Sequence, residues 1–546
     1  MKTRMVILLL AALFLVGFQG PDKAPENDSI LEDDLRADLF FLASDAMNGR
    51  RTDTPENRLA AEYLASRFRR MGLRPASGSS FFHNYNLMTS TLGDENLLQV
   101  LEGENAIQRL RPGQDYYPLN FSGSGRVQGS VVFAGFGIVA PEHSYDDFRG
   151  DAVRGKIVLI VDHEPGERDP DSPFDGVVRA EASNALRKAL SAQANGALAV
   201  LFVQDVHNHS GGNFLGTANN YWRERRFPRY TLAEWMESVR IPAAQISPAL
   251  AEQLLAGTGH TLWELSAASE SEAGTSPVVI EGPEVELTTS INRRPIPDRN
   301  VIGMLEGSDP DMKDEFVIIC AHYDHDGADG TTVFAGADDD GSGTVGLIEI
   351  AEAYAAAASA GQRPRRSILF AAWNSEERGL LGAWAYTLRP SVPLDQTVAV
   401  LNMDMIGRNE EVPIGGGGRF RGLEVQTAAS NANSINILGT TFSDDMKEMV
   451  EQANRGIGLD LKMTYDNNAS NLMRRSDQWP FLQNGVPALF FHTGLHPDYH
   501  TPNDTPEKIN YSKMEKIVRV VHQMSWDLAQ QGPRPELIKG PVRFNQ

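Results

Sequence analysis

Between residues 300 and 510 five short segments rich in Asp, Glu and His each come after an apolar run, and that alternation leaves few folds open. The segments are Ala321-His322-Tyr323-Asp324-His325, Gly336-Ala337-Asp338-Asp339-Asp340-Gly341-Ser342-Gly343, Trp373-Asn374-Ser375-Glu376-Glu377-Arg378-Gly379-Leu380, Asn402-Met403-Asp404-Met405-Ile406-Gly407 and Tyr499-His500-Thr501-Pro502-Asn503-Asp504-Thr505. The apolar runs predict strands over 316–321, 367–372, 397–403 and 486–491. Helical spacing predicts helices over 344–360, 380–388, 444–455 and 513–529. Strand–helix alternation of this kind predicts an α/β fold, a doubly wound, mostly parallel sheet with helices on both faces. In such a fold the loops at the carboxyl ends of the strands gather distant residues into one cleft.

Taken singly, each cluster has an ordinary explanation. An Asp run is usually a solvated turn, and a Glu-Glu pair suits a helix N-terminus. Together in one cleft these carboxylates repel one another, and burying them is costly unless cations neutralise them. Oxygen ligands combined with imidazoles suit zinc, with manganese or cobalt as substitutes. The single cysteine, Cys320, excludes a disulfide framework and a thiolate zinc site, and it is expected to be a small buried residue. Two ions ~3.5–4 Å apart need a bridging carboxylate and can share an activated water; two His and three carboxylates suffice.

The five segments resemble the di-zinc aminopeptidase family, which also contains glutamate carboxypeptidases and glutaminyl cyclases. The resemblance covers roughly 300–510, with support from helices near residues 30–75. It implies two zinc ions per chain. It makes His322 and Asp404 ligands of the first ion, Asp339 the bridging carboxylate, and Glu377 and His500 ligands of the second. Glu376 becomes the general base, and Asp324 the carboxylate that orients His322. Tyr499 becomes a candidate to hold the oxyanion, and the Asp339–Asp340 peptide is expected to be cis. The implied reaction is hydrolysis of a peptide through a metal-bridging water, with Glu376 passing the proton to the leaving amine.

Other residues in the region invite weaker assignments. His492, His496 and His500 are spaced by four, but Gly494 and Pro497 argue against a helix there, so only His500 is taken as a ligand. His325 and His496 are expected to make polar contacts at the rim. Ser342 is expected to be a turn residue without a His–Asp pair to activate it. Arg408 offers a site for a substrate carboxylate, which keeps carboxypeptidase or dipeptidase activity in play beside aminopeptidase activity. Glutaminyl cyclase and a non-catalytic binding protein are the further alternatives.

Upstream, Lys2 and Arg4 precede a 13-residue apolar run, Val6 to Phe18, too short to span ~30 Å of hydrocarbon comfortably. This pattern predicts a cleaved signal peptide over 1–20, an exported protein, and no stable membrane insertion afterwards. Helices are expected at 29–42, capped by Asp28 or Ser29, and at 56–71, with strands between 81 and 101. Residues 29–110 form the first part of the peptidase domain and 285–535 its main part. Between them, 111–284 has short β-branched runs bounded by Gly and resembles an inserted, β-rich protease-associated domain. Residues 266–276 are expected to be a surface loop. A net charge of −22 over 546 residues argues against nucleic acid and anionic lipid as partners, leaving peptides as the expected substrates.

Overall fold

The apolar runs Phe316–His322, Ser367–Trp373, Thr397–Met403 and Ala488–His492 become four adjacent strands, each buried along its whole length. Their order in the sheet is Ser367–Trp373, Phe316–His322, Thr397–Met403, Ala488–His492, all parallel. The computed structural model describes residues 23–538 except 77, 103–104, 170, 175–178, 226 and 531. The leader expected at 1–20 lies outside the described residues. Among them no helix is long and apolar enough to cross a membrane.

Alternate side chains of these strands enter two separate cores. Val317, Ile319, Phe370, Leu401 and Phe491 pack against helices Glu32–Leu42, Pro55–Arg70, Gly343–Ser359, Asp444–Asn454 and Tyr511–Gln530. Ile318, Cys320, Leu369, Trp373 and Phe490 pack on the other face against helices Leu381–Leu388 and Gln478–Gln483. Full burial on both faces explains the unbroken apolar runs, each large side chain contributing about 1.5–3 kcal/mol.

Both flanks of the sheet are antiparallel. On one side Ile291–Leu305 pairs with Ser367–Trp373 and with Phe82–Leu92, and on the other Ser434–Leu438 pairs with Ala488–His492. The 15-residue strand Ile291–Leu305 escapes the sequence pattern because Arg293, Arg294, Pro295 and Pro297 interrupt its apolar alternation. Two boundary expectations also change. Helix Glu32–Leu42 has Leu31, not Asp28 or Ser29, at its N-cap. Residues 266–276 are not all loop: a Thr261–Glu264 capping box starts helix Leu262–Ala268, and Ser266 and Ser269 are buried.

The chain leaves the main sheet after Leu92 and returns at Ile291. In between, Val131–Phe133, Ile157–Val161, Ala199–Val203 and Ala243–Ile246 form a second set of parallel neighbours, with helix Ala185–Ala194 between two of them. Leu97–Glu102, Asn105–Arg109, Gly125–Gly129 and Glu284–Thr289 form a four-stranded antiparallel sheet. The two-residue strand Thr231–Leu232 joins the edge of the main sheet through Phe82–Leu92.

Candidate metal centre

His322 ends its strand, Glu376 and Glu377 follow the next, and Asp404 follows the third, so the parallel core delivers all four to one edge. The turn carrying Asp338–Asp340 opens helix Gly343–Ser359, and the Asp339–Asp340 peptide is cis. His500 arrives from the loop after Ala488–His492. Ser375, Met405 and His500 hold positive φ without being Gly, and two of them are direct neighbours of Glu376 and Asp404. Strain of this kind persists where packing over-determines a position.

The three aspartates of the triplet do different work. Asp340 accepts the backbone N–H of His322, Gly343 and Met405 at 3.0, 2.9 and 3.2 Å. Asp338 accepts the Gly407 N–H at 2.6 Å and lies 3.2 Å from His496 Nε2. Asp504 accepts the N–H groups of Asp338 and Asp339. The Asp339 carboxylate is left to face two imidazoles, with Oδ1 3.4 Å from His322 Nε2 and Oδ2 3.1 Å from His500 Nε2. His322 Nε2 also stands 3.6 Å from Asp404, and His500 Nε2 3.3 Å from Glu377. The sequence-predicted ligands are thus brought together as two sets that share Asp339.

Both imidazoles are aimed from behind. His500 Nδ1 pairs with Asp326 at 2.9 Å. His322 Nδ1 faces the backbone carbonyl of Asp324 at 3.2 Å, while the Asp324 carboxylate stands 3.8 Å away. The carboxylate was expected to make this contact; instead it accepts the Glu376 N–H at 3.0 Å and so fixes the Glu376 backbone. A buried network supports the same turn. Asn374 donates to Asp298 at 2.5 Å, Ser375 donates to Asp298 at 2.6 Å, and Asn57 donates to Asn374 at 2.8 Å.

The electrostatics follow from burying so many carboxylates. Burial, followed by the charges of Glu377 and Asp404, pushes the Glu376 carboxyl well above the usual range, against the pull of His322. Burial works against protonation of His500, but Glu377, Asp326 and Asp339 raise its pKa to about 12. Asp339 goes the other way: burial opposes ionisation, and the nearby imidazoles of His322, His500 and His325 hold it well below the carboxylate range. The site demands positive charge.

Several buried polar atoms here lack hydrogen bonds: His322 Nε2, Asp339 Oδ2, Glu377 Oε1, Asp404 Oδ1 and both ring nitrogens of His325. Zinc bonds of 2.0–2.2 Å in a tetrahedral arrangement separate ligand atoms by about 3.3 Å. The gaps between imidazole and carboxylate in the two sets match that spacing better than they match hydrogen bonds. His322, Asp339 and Asp404 form one metal-competent group, and Asp326, Glu377 and His500 another. The donor set fits zinc.

Three residues, His325, His496 and Arg408, depart from expectation, while Ser342 and Cys320 do not. His325 and His496 are fully buried and not at the rim; His325 Nδ1 lies 2.8 Å from Glu377 because its strand-end turn points inward, and His496 pairs with Asp338. His325, Asp339 and Glu377 form a further metal-competent group. Arg408 is taken by Asp498 at 2.9 Å and is unsuited to a substrate carboxylate. Ser342 donates to the Asp338 carbonyl, a structural role within the turn. Cys320 is buried, with Sγ 3.3 Å from Asn402 Oδ1.

Some of the site gave no sequence signal. Arg50, far upstream, is buried and donates to the carbonyls of Tyr323, Leu42, Ala335 and Gly336, placing a guanidinium under the acidic turn. Asp477 is fully buried with both carboxylate oxygens unpartnered, and burial raises its pKa well above the usual range. A narrow cleft beside the acids is lined by Asp339, Glu376 and Asp404, by apolar Met405, Leu472, Phe490, Leu495 and Tyr499, and by Arg475 and His492. A wider groove of ≈ 610 Å³ runs past Glu377 and Arg378 under residues 227–231.

Comparison with known proteins gives the same region a family. The chain is 26% identical over 418 residues to probable glutamate carboxypeptidase AMP1 of Arabidopsis thaliana, covering 72% of this chain and 52% of the relative. It is 26% identical over 253 residues to aminopeptidase YwaD of Bacillus subtilis, covering 45% and 48%. It is 25% identical over 479 residues to transferrin receptor protein 2 of Mus musculus, covering 79% and 53%. The chain spans about half the length of these relatives. The family model that matches, Peptidase family M28, covers residues 300–525, from the strand before His322 through His500.

Proposed function

We propose that the protein is an exported di-zinc exopeptidase, an aminopeptidase that removes N-terminal residues from peptides. The observation that carries the reading is the shared Asp339 carboxylate between two imidazoles at metal-ligand spacing, with Glu376 on the wall of the adjoining cleft. His322, Asp339 and Asp404 would hold one zinc ion, and Asp339, Glu377 and His500 the second. Bound there, the ions supply Lewis acidity toward a carbonyl oxygen and lower the pKa of water.

The chain's own groups do the rest. Glu376, whose buried carboxyl holds a proton strongly, takes a proton from the attacking water and returns it to the leaving amine. Tyr499 lines the same cleft, and burial keeps its phenol protonated, so it donates to the developing oxyanion. The apolar wall formed by Met405, Leu472, Phe490 and Leu495 takes a substrate side chain and excludes water.

Arg475 on the cleft wall supports a second reading, recognition of a substrate carboxylate by a carboxypeptidase or dipeptidase. In both readings residues 1–20 direct export and are removed, and 111–284 is an inserted protease-associated domain whose residues 227–231 border the route to Glu377. Glu376→Gln tests the assignment. It should lower kcat at least ~10²-fold with two zinc ions per chain retained; zinc lost in parallel would make Glu376 a ligand and not the base.

A further inference from the structure

A second convergence of imidazole and carboxylate lies outside this site. His163 follows strand Ile157–Val161 and His209 follows strand Ala199–Val203, two adjacent parallel strands in register from Ile157 opposite Ala199 to Val161 opposite Val203. Their loops therefore leave the sheet side by side at its carboxyl edge, where open parallel sheets place ligands. Glu167 reaches between them, with Oε2 2.9 Å from His163 Nδ1 and Oε1 2.5 Å from His209 Nε2. The three ligand atoms lie within 4.8 Å of one another.

The composition of this cluster suits a cation. The Glu167 side chain is 12% exposed, and among the described residues its ion-pair partners are these two imidazoles. The rings are stacked, with centroids 4.0 Å apart, so protonating both sets two like charges face to face. With both rings neutral, each keeps one N–H to offer Glu167, and a bound cation would take the place of those two protons. A divalent cation satisfies all three groups at once, and two imidazoles with one carboxylate form the donor set of an open zinc site.

We infer that His163, Glu167 and His209 form a third metal site, of the zinc class, independent of the centre that contains Asp339. Its ligand atoms need to spread by about 0.5–1 Å to reach zinc spacing, a movement open to the partly exposed His163 and His209 side chains. An ion there ties the loop after Ile157–Val161 to the loop after Ala199–Val203. The first loop leads on to Arg179 and Glu181, whose carbonyl and carboxylate accept from Arg474 and Trp479 beside the cleft. The second leads through helix Phe214–Tyr221 to the wall of the groove at 227–231. The site is thus placed to brace both segments that border substrate entry.

The test counts metal in the full-length protein, saturated with Zn²⁺ alone, gel-filtered, and measured by inductively coupled plasma mass spectrometry. His209→Gln and Glu167→Gln should each carry one zinc fewer than the parent, while the zinc lost on His322→Ala is retained in both. Counts equal to the parent overturn the inference and leave the reading of the Asp339 centre standing. A variant that loses every ion overturns it too, because the cluster would then be supporting the other centre instead of holding its own ion. A second measurement needs no variant. Zn²⁺ should protect His209 from diethyl pyrocarbonate at least tenfold, located by peptide mass spectrometry; equal modification with and without Zn²⁺ overturns the site.

Discussion

The molecule contains two sets of parallel strands, and each carries imidazoles and carboxylates at its carboxyl edge, yet the two edges are built differently. In the main sheet the groups, all buried except the partly exposed His500, are held 3.1–3.6 Å apart, and both imidazoles are aimed by a carbonyl or carboxylate behind them. In the middle segment three side chains stand closer, at 2.5 and 2.9 Å, partly exposed and without a comparable supporting layer. The contrast separates a rigid centre, whose spacing is imposed by the fold even at the cost of unpartnered atoms, from an adaptable one. Preorganisation of the first kind is what chemistry requires; the second suits bracing.

The largest expected effect comes from breaking the shared ligand. Asp339→Ala should release both zinc ions of the main centre and abolish peptide hydrolysis, while the zinc held by His163, Glu167 and His209 stays. Metal analysis and a peptide assay check both halves, and a variant that keeps one ion in the main centre would show that Asp339 does not bridge. Tyr499→Phe should lower kcat about 10²-fold with KM nearly unchanged. An unaltered kcat would return Tyr499 to packing against His500, with ring centroids 4.1 Å apart.

Arg475→Ala sharpens the substrate reading. For an aminopeptidase it should change KM less than threefold and leave the preference for a free N-terminus; a large rise in KM confined to substrates with a free carboxylate would favour the carboxypeptidase reading. The smallest effect comes from a buried carboxyl with no imidazole beside it. Glu349 is buried on helix Gly343–Ser359 with one oxygen unpartnered, and burial, followed by Glu352, Asp34 and Asp38, raises its pKa from 4.5 to about 8. Its folded pKa exceeds the unfolded one, so its contribution to stability is full below pH 4.5 and is lost as pH rises through 8. Glu349→Gln removes that loss. Its melting temperature should exceed the parent's by about 1–2 °C above pH 8, with the gap shrinking toward pH 5. A gap independent of pH would show that the carboxyl does not titrate in this range.

How much of this was legible in the sequence depended on whether the physics is local. The parallel strands were, because burial on both faces forces unbroken apolar runs such as 397–403. The meeting of His322, Asp339, Glu376, Glu377, Asp404 and His500 was legible because each lies at a strand's carboxyl end, at a helix start or in the loop after a strand. The rest rests on contacts across hundreds of residues. Arg50 is 286 positions from the Gly336 carbonyl it binds, and nothing around it marks it out. His325 looks like a rim residue until the turn places it against Glu377. Arg408 resembles a substrate anchor until Asp498 is found beside it. The long strand Ile291–Leu305 pairs on both edges, and its prolines hide it from periodicity.

The most direct test of the central claim is mass spectrometry of one short peptide, free and N-acetylated, incubated with the protein before and after chelation and again after restoring Zn²⁺. The account predicts stepwise loss of N-terminal residues from the free peptide alone, abolished by the chelator and recovered with zinc. Cleavage of the acetylated peptide, or cleavage that survives chelation, would contradict it.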